Sequence, residues 1–325
     1  MNPLVAASYL FKVRSRNIVD YGDYSVELTL SLTMKTSHAL SVLSGGGIVE
    51  SLGAVTNSVT VQAVDEDGND RTEGGDIFFL LVEQLCYITD NFRCDLSLNQ
   101  DAVVGIPIVK QLIDNNDGTY YVDYTIQEAG TVTVSVVLMR KGGLYAEYFN
   151  NAFLDGVPVI TQVDSFLSYD WDEGLITEEA GDFVSIHWYG KLRPPHSEDY
   201  TLIFTGDDGF RFYFENELSI DRWDTCCDDM TVRLSLEADT FYDFVLEFRE
   251  FQEVASFSVE WLSPQISRQV IQPVYLWYSQ RVGDVTYEVE VQPGPSIGGK
   301  STVEFYETEF IAGKLYMMTM QSRDT

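Results

Sequence analysis

Side-chain polarity alternates with a period of two along most of this chain, and that property restricts it to β structure. Apolar and polar residues trade places in Val59-Thr60-Val61-Gln62-Ala63-Val64, in 120–124, in Val132-Thr133-Val134-Ser135-Val136, in 210–214 and in Phe257-Ser258-Val259-Glu260-Trp261. Successive side chains on a strand point to opposite faces, so such runs build sheets with one dry face. The three- and four-residue spacing of an amphipathic helix is nearly absent. Between the runs stand turns such as Glu66-Asp67-Gly68-Asn69 and Asn115-Asn116-Asp117-Gly118, whose residues tolerate the positive φ of tight hairpins. Short strands separated by such turns predict an all-β chain of sandwiches or barrels.

Charge removes whole classes of partner. The chain has 51 acidic and 20 basic side chains in 325 residues, a formal net charge of −31. A surface of that sign repels phosphate backbones and anionic lipid heads, so nucleic acid is excluded and cations or basic partners are favoured. Hydrophobic residues make up 45%, enough to bury a core, and the length exceeds what one core usually serves, so two or more domains are expected. No apolar run approaches the roughly 18 residues of a membrane helix, so no membrane span is expected. The first eleven residues have no basic residue ahead of their apolar stretch and no clear cleavage site, which makes them a poor signal peptide.

Four cysteines leave several pairings open. Cys86 and Cys94 have the separation of a pair closed across a hairpin or loop, while the adjacent Cys226 and Cys227 can bridge each other, bond elsewhere or stay reduced. Four ordinary thiols in a reducing compartment is the competing reading. His38, His187 and His196 stand at no ligand spacing from a cysteine, which argues against structural zinc. No Asn-x-Ser/Thr sequon occurs, a mild argument against secretion.

Gly118-Thr119-Tyr120-Tyr121-Val122 echoes Gly22-Asp23-Tyr24-Ser25-Val26 after 118 − 22 = 96 residues, the size of one sandwich domain. Thr60-Val61-Gln62-Ala63-Val64-Asp65 returns as Thr319-Met320-Gln321-Ser322-Arg323-Asp324. Val59 to Asp65 with Gly68-Asn69, then Gly74-Gly75-Asp76, Asp117-Gly118-Thr119-Tyr120 and Ala129-Gly130 together resemble the immunoglobulin-like rod repeat of filamins. The resemblance spans about 45–140 and places a repeat at 45–141, the closing strands of a preceding repeat at 1–44 and the opening strands of a following one at 282–325. It implies a module that spaces and docks protein partners, in part by strand addition at an exposed edge, and no catalysis.

Residues 142–281 carry a different signature, with Gly143-Leu144-Tyr145-Ala146-Glu147-Tyr148-Phe149, Asp170-Trp171, Phe183-Val184-Ser185-Ile186-His187-Trp188-Tyr189-Gly190, Asp207-Asp208-Gly209-Phe210-Arg211 and Ile220-Asp221-Arg222-Trp223 in order. Alternating aromatics predict a second sandwich with Tyr, Trp and Phe inside and polar loops at its ends. The order and spacing resemble the protective-antigen-fourteen domain found in toxins, glycosidases and fungal adhesins. In the adhesin branch a cis-linked Asp-Asp pair and a second loop hold calcium that ligates sugar hydroxyls. The resemblance therefore assigns Asp207 and Asp208 as calcium ligands, with Gln252 or Glu253 of the second loop, Arg249-Glu250-Phe251-Gln252-Glu253-Val254, supplying a further oxygen. Adjacent carboxylates before a glycine suit calcium, which accepts six to eight oxygens at flexible angles. The competing reading is turn chemistry, in which both carboxylates accept backbone N–H bonds. Asp221 reads as a turn residue, and Trp171, Trp188 and Trp223 read as core or packing residues rather than a sugar platform.

Three motif matches fail on context. Gly294-Pro295-Ser296-Ile297-Gly298-Gly299-Lys300-Ser301 fits a phosphate-binding loop, but Thr302-Val303-Glu304-Phe305 alternates like a strand where a helix is required. The same segment fits a serine-hydrolase elbow without the strand-to-helix turn or a later histidine. Asp65-Glu66-Asp67-Gly68-Asn69 resembles an EF-hand start, but Asp70 stands where glycine is needed and no helices flank it. No nucleophile–base pair is visible, so no enzyme activity is expected. The chain reads as a non-enzymatic adhesion or assembly protein at a cell surface or outside the cell, with glycan as a candidate ligand. The alternatives are a purely structural spacer in a filament or a cytoskeletal or ciliary assembly, and a head-to-tail polymer completed by neighbouring chains.

Overall fold

In the computed structural model, residues 35–84, 108–126, 129–225 and 229–293 are described, together with the backbone of short strands outside these ranges. Cys86, Cys94, Cys226, Cys227 and the segment 294–301 lie outside the described residues. The chain divides into two compact units, 1–138 with 281–325, and 139–280. Both are all-β, as the alternation predicts.

The first unit contains a four-stranded antiparallel sheet in the order Ile113–Asp114, Thr119–Thr125, Thr56–Asp65, Thr36–Ser44. Facing residues Val59, Val61, Ala63, Tyr120, Val122 and Tyr124 share one core with Phe78, Leu80, Val82, Val132, Val134 and Val136 of the other layer. These are the inward positions of the period-two runs, and burying each large apolar side chain stabilises by roughly 1.5–3 kcal/mol. The Asp65 turn is a hairpin: Asp65 Oδ1 accepts the N–H groups of Asp67 and Asn69 at 3.0 and 2.9 Å, with Gly68 at φ 86°. At Gly118, φ 87°, an added Cβ would stand 1.8 Å from the carbonyl oxygen of Arg71, so this turn requires glycine.

Two boundaries differ from the sequence expectation. Thr36–Ser44, expected to close a preceding repeat, pairs with Thr56–Asp65 in this one, with Thr36 opposite Asp65. Tyr287–Gln292, expected to open a following repeat, pairs antiparallel with Gly130–Lys141 and parallel with Ser51–Leu52, and Val289 and Val291 enter the core just described. The second unit thus interrupts the first along the chain, which resumes with Tyr287–Gln292. Beyond it, Thr302–Phe305 is a strand paired with Met318–Gln321.

The second unit is a sandwich. One sheet runs Ile160–Asp164, Leu144–Phe149, Val184–Leu192, Tyr242–Glu250, Gly209–Phe214, Glu217–Arg222. The other runs Ser168–Asp172, Ala255–Leu262, Glu198–Asp207, Met230–Leu236. Between them lie Trp188, Trp261, Tyr200, Phe204, Phe210, Phe212, Phe244, Phe248 and Phe257, all fully buried. Stacked rings, such as Trp188 on Phe257 with centroids 5.2 Å apart, fill the interior. Asp164 is buried with them and accepts from Tyr148 Oη at 2.6 Å, Trp188 Nε1 at 2.7 Å and Gln162 Nε2 at 2.7 Å.

Candidate functional site

The chain crosses from one sheet of this sandwich to the other at Asp207-Asp208. Asp207 is the last residue of Glu198–Asp207, opposite Ser256, and Gly209 opens Gly209–Phe214, opposite Arg249. The peptide bond between the two aspartates is cis. Gly209 has no room for a side chain, since a Cβ would meet the Trp223 carbonyl oxygen at 2.2 Å. The crossing therefore sets two carboxylates side by side at the rim of the sandwich.

Glu250 joins them. It ends the strand Tyr242–Glu250, where Phe244, Leu246 and Phe248 point inward, and it continues their parity. Its side chain is fully buried, and neither carboxylate oxygen has a hydrogen-bond partner of good geometry. Asp208 and Asp207 stand close enough for their charges to act on it. Burial first, then the charges of Asp208 and Asp207, push the Glu250 carboxyl up to about 8, and Asp182 adds to this. Burial, followed by Asp208 and Glu253, also raises Asp207 above the ordinary aspartate range. A buried carboxylate without a partner is costly, and carboxylates set this close together favour a proton or a cation among them.

Of the residues expected from sequence, Asp207 and Asp208 lie at the centre, and Glu253 is exposed near Asp207 at φ 81°. Gln252 is exposed. Glu250 was not singled out by sequence reasoning; a charged residue on the inward parity of an aromatic strand is the signal that marks it. Among the described residues, no three Asp, Glu, His or Cys side chains are already drawn close enough together to hold an ion. Nearby, Asp221 Oδ1 accepts the N–H of Trp223 at 3.2 Å, and the guanidinium groups of Arg211 and Arg249 lie over the Trp223 ring at 4.6 and 4.9 Å. Trp171 stacks on Tyr169 at 4.7 Å. These residues are packing and turn elements, as the sequence suggested.

Two family models match the chain, the Filamin/ABP280 repeat over 35–141 and the PA14 domain over 140–275. The matched part of the chain, residues 35–275, is a filamin repeat followed by a PA14 domain. Among curated proteins, the anti-sigma-I factor RsgI3 of Acetivibrio thermocellus is 31% identical over 139 residues, covering 42% of this chain and 21% of that protein. The chain thus spans about a fifth of that relative's length. Similar solved structures include an anti-sigma factor domain-containing protein from Clostridium clariflavum, with 16% identity, 83% and 99% coverage and a TM-score of 0.40. The Epithelial Adhesin 6 A domain of Candida glabrata, in complex with Galb1-3GlcNAc, has 12% identity, 42% and 87% coverage and a TM-score of 0.36.

Proposed function

We propose that the PA14 unit is a calcium-dependent, non-enzymatic recognition module carried on a filamin repeat, serving adhesion or assembly at a cell surface with glycan as its ligand class. The observation that carries the reading is Glu250, a fully buried carboxylate without a hydrogen-bond partner, set against Asp207 and Asp208. A hard divalent cation would relieve the repulsion among the three, and calcium tolerates the irregular oxygen geometry that an aspartate pair and a strand end offer. Asp207, Asp208 and Glu250 would hold the ion, with Glu253 or Gln252 closing from the second loop. Calcium would supply positive charge and open coordination positions for ligand hydroxyls. An identity of 31% over 139 residues with a protein named as an anti-sigma factor supports protein partners.

Calorimetric titration of the chelator-stripped protein with calcium tests this, run beside Asp207→Asn and Glu250→Gln. One saturable ion in the wild type, lost in both variants, is the expected outcome. Binding that is absent, or equal in all three proteins, would overturn it. One observation favours a second reading: Asp208 Oδ2 already accepts the Phe251 N–H at 2.8 Å, which is turn chemistry of the kind a bare spacer needs. Under that reading no calcium binds, so the same titration separates the two.

A further inference from the structure

The loops after Leu144–Phe149 and before Val184–Leu192 carry a feature that calcium binding does not use. Phe153 is 66% exposed, Leu175 63% and Phe183 49%. Phe153 and Phe183 both stand edge-on to Phe251, with ring centroids 6.3 and 5.8 Å away. Leu175 lies against Gly181, two residues before Phe183. A hydrogen-bonded frame holds the two loops together. Thr177 Oγ1 donates to Asn150 Oδ1 at 2.7 Å, Ser185 Oγ donates to the Asn151 carbonyl at 2.6 Å, and the Leu154 N–H donates to Ser185 Oγ at 2.9 Å. Single exposed hydrophobes are ordinary, but contiguous rings on a fixed frame mark an interaction surface.

Charge decides the occupant. The two loops, residues 150–159 and 173–183, contain five acidic side chains and no Lys, Arg or His, and the Arg249 guanidinium that lies 4.5 Å from the Phe251 ring is buried and paired with Asp224. Exposed Asp155, Glu178, Glu179 and Asp182 share the two loops with the rings. A second copy would bring −31 against −31, and an anionic membrane is repelled likewise. A neutral glycan could cover the rings but would leave the carboxylates without counter-charge. A protein segment that alternates apolar and basic residues satisfies both, placing its apolar side chains on the rings and its Lys or Arg over the carboxylates. We infer that the Phe153, Phe183 and Phe251 patch docks a basic amphipathic segment of a protein partner.

Fluorescence anisotropy of the full chain with a short labelled peptide of Leu-Lys repeats tests the inference, in calcium and in chelator. A charge-matched peptide with Ser for every Leu is the control. At about 0.15 M salt, where exposed charges are screened beyond roughly 8 Å, the Leu-Lys peptide should bind at least about tenfold tighter than the control. Phe153→Ser with Phe183→Asn should erase that margin; Asn is chosen because Phe183 has φ 52°, which Asn tolerates. Phe153→Leu, which keeps an apolar contact, should bind as the wild type does, and Trp fluorescence reports whether each variant is folded. Equal binding of both peptides overturns the inference. So does a folded double variant that binds as tightly as the wild type, or displacement of the peptide by a soluble neutral glycan.

Discussion

The backbone N–H of Phe251 donates to Oδ2 of Asp208 at 2.8 Å, tying the loop that leaves one sheet to the turn that crosses between the two. The Asp208 carboxylate is therefore oriented by the protein itself, as a preorganised ligand is. Asp208→Ala removes both the tie and an oxygen proposed to bind calcium, and should cost about 1–2 kcal/mol of stability in the metal-free protein. Asp208→Asn keeps an acceptor for the Phe251 N–H, so its stability should stay near wild type while calcium affinity falls. Urea unfolding in chelator, paired with calcium calorimetry, separates the two effects. Equal destabilisation by both substitutions would show that the tie is not what stabilises the loop.

Glu250 makes the metal-free protein sensitive to pH. Its carboxyl, ordinarily at 4.5, is pushed up to about 8 in the folded chain, so the folded state holds the proton more tightly than the unfolded state does. The stability that this proton confers is present in full below about pH 4.5 and is lost as pH rises toward 8. The difference of 8 − 4.5 = 3.5 units, at about 1.4 kcal/mol per unit, bounds the loss at about 5 kcal/mol. Glu250→Gln is neutral throughout and should flatten the decline, leaving the variant more stable than wild type at pH 8. Denaturant midpoints at pH 5, 7 and 9 in chelator read this directly; an unchanged slope in the variant would refute the assignment.

Asp164 fastens the PA14 core from inside, with three donors converging on one buried carboxylate. Asp164→Ala would leave the buried Tyr148 and Trp188 and the exposed Gln162 without their acceptor, and each buried unsatisfied group costs about 1–3 kcal/mol. The expected loss is about 3–5 kcal/mol, because part of the network can find other partners. Asp164→Asn should be nearly as damaging, since its amide turns a donor toward one of the existing donors. Trp fluorescence follows this unfolding; a loss below about 1 kcal/mol in either variant would mean that the network is dispensable.

The all-β class and the two kinds of sandwich were legible because alternation, Asp-Gly turns and aromatic spacing are local properties of the sequence. The Asp207-Asp208 pair was singled out through the resemblance to the protective-antigen-fourteen domain, while its place at the crossing between the sheets was not read from the sequence. Glu250 was not, because its importance depends on a parity shared with Phe244, Leu246 and Phe248 and on a turn more than forty residues earlier in the chain. The closing strand was also hidden. Tyr287–Gln292 alternates as any strand does, and nothing local distinguishes pairing with Gly130–Lys141 from opening a new domain. Non-local pairing is chosen by the vacancy left in a core, which only the folded chain displays.

That pairing can be tested on its own. Val289 is fully buried and Val291 nearly so, in the core formed by Val132, Val134 and Val136. Val289→Ala opens a cavity there and should cost about 2 kcal/mol. All five tryptophans, Trp171, Trp188, Trp223, Trp261 and Trp277, lie in the PA14 unit, so Trp fluorescence reports that unit alone. The substitution should therefore lower the stability of the transition followed by far-ultraviolet circular dichroism while leaving the Trp midpoint in place. If Tyr287–Gln292 instead belonged to a following repeat, Val289→Ala would leave the unfolding of an isolated 35–293 fragment unchanged. A destabilised fragment with an unmoved Trp transition establishes that the filamin sandwich is closed by a strand from beyond the insertion.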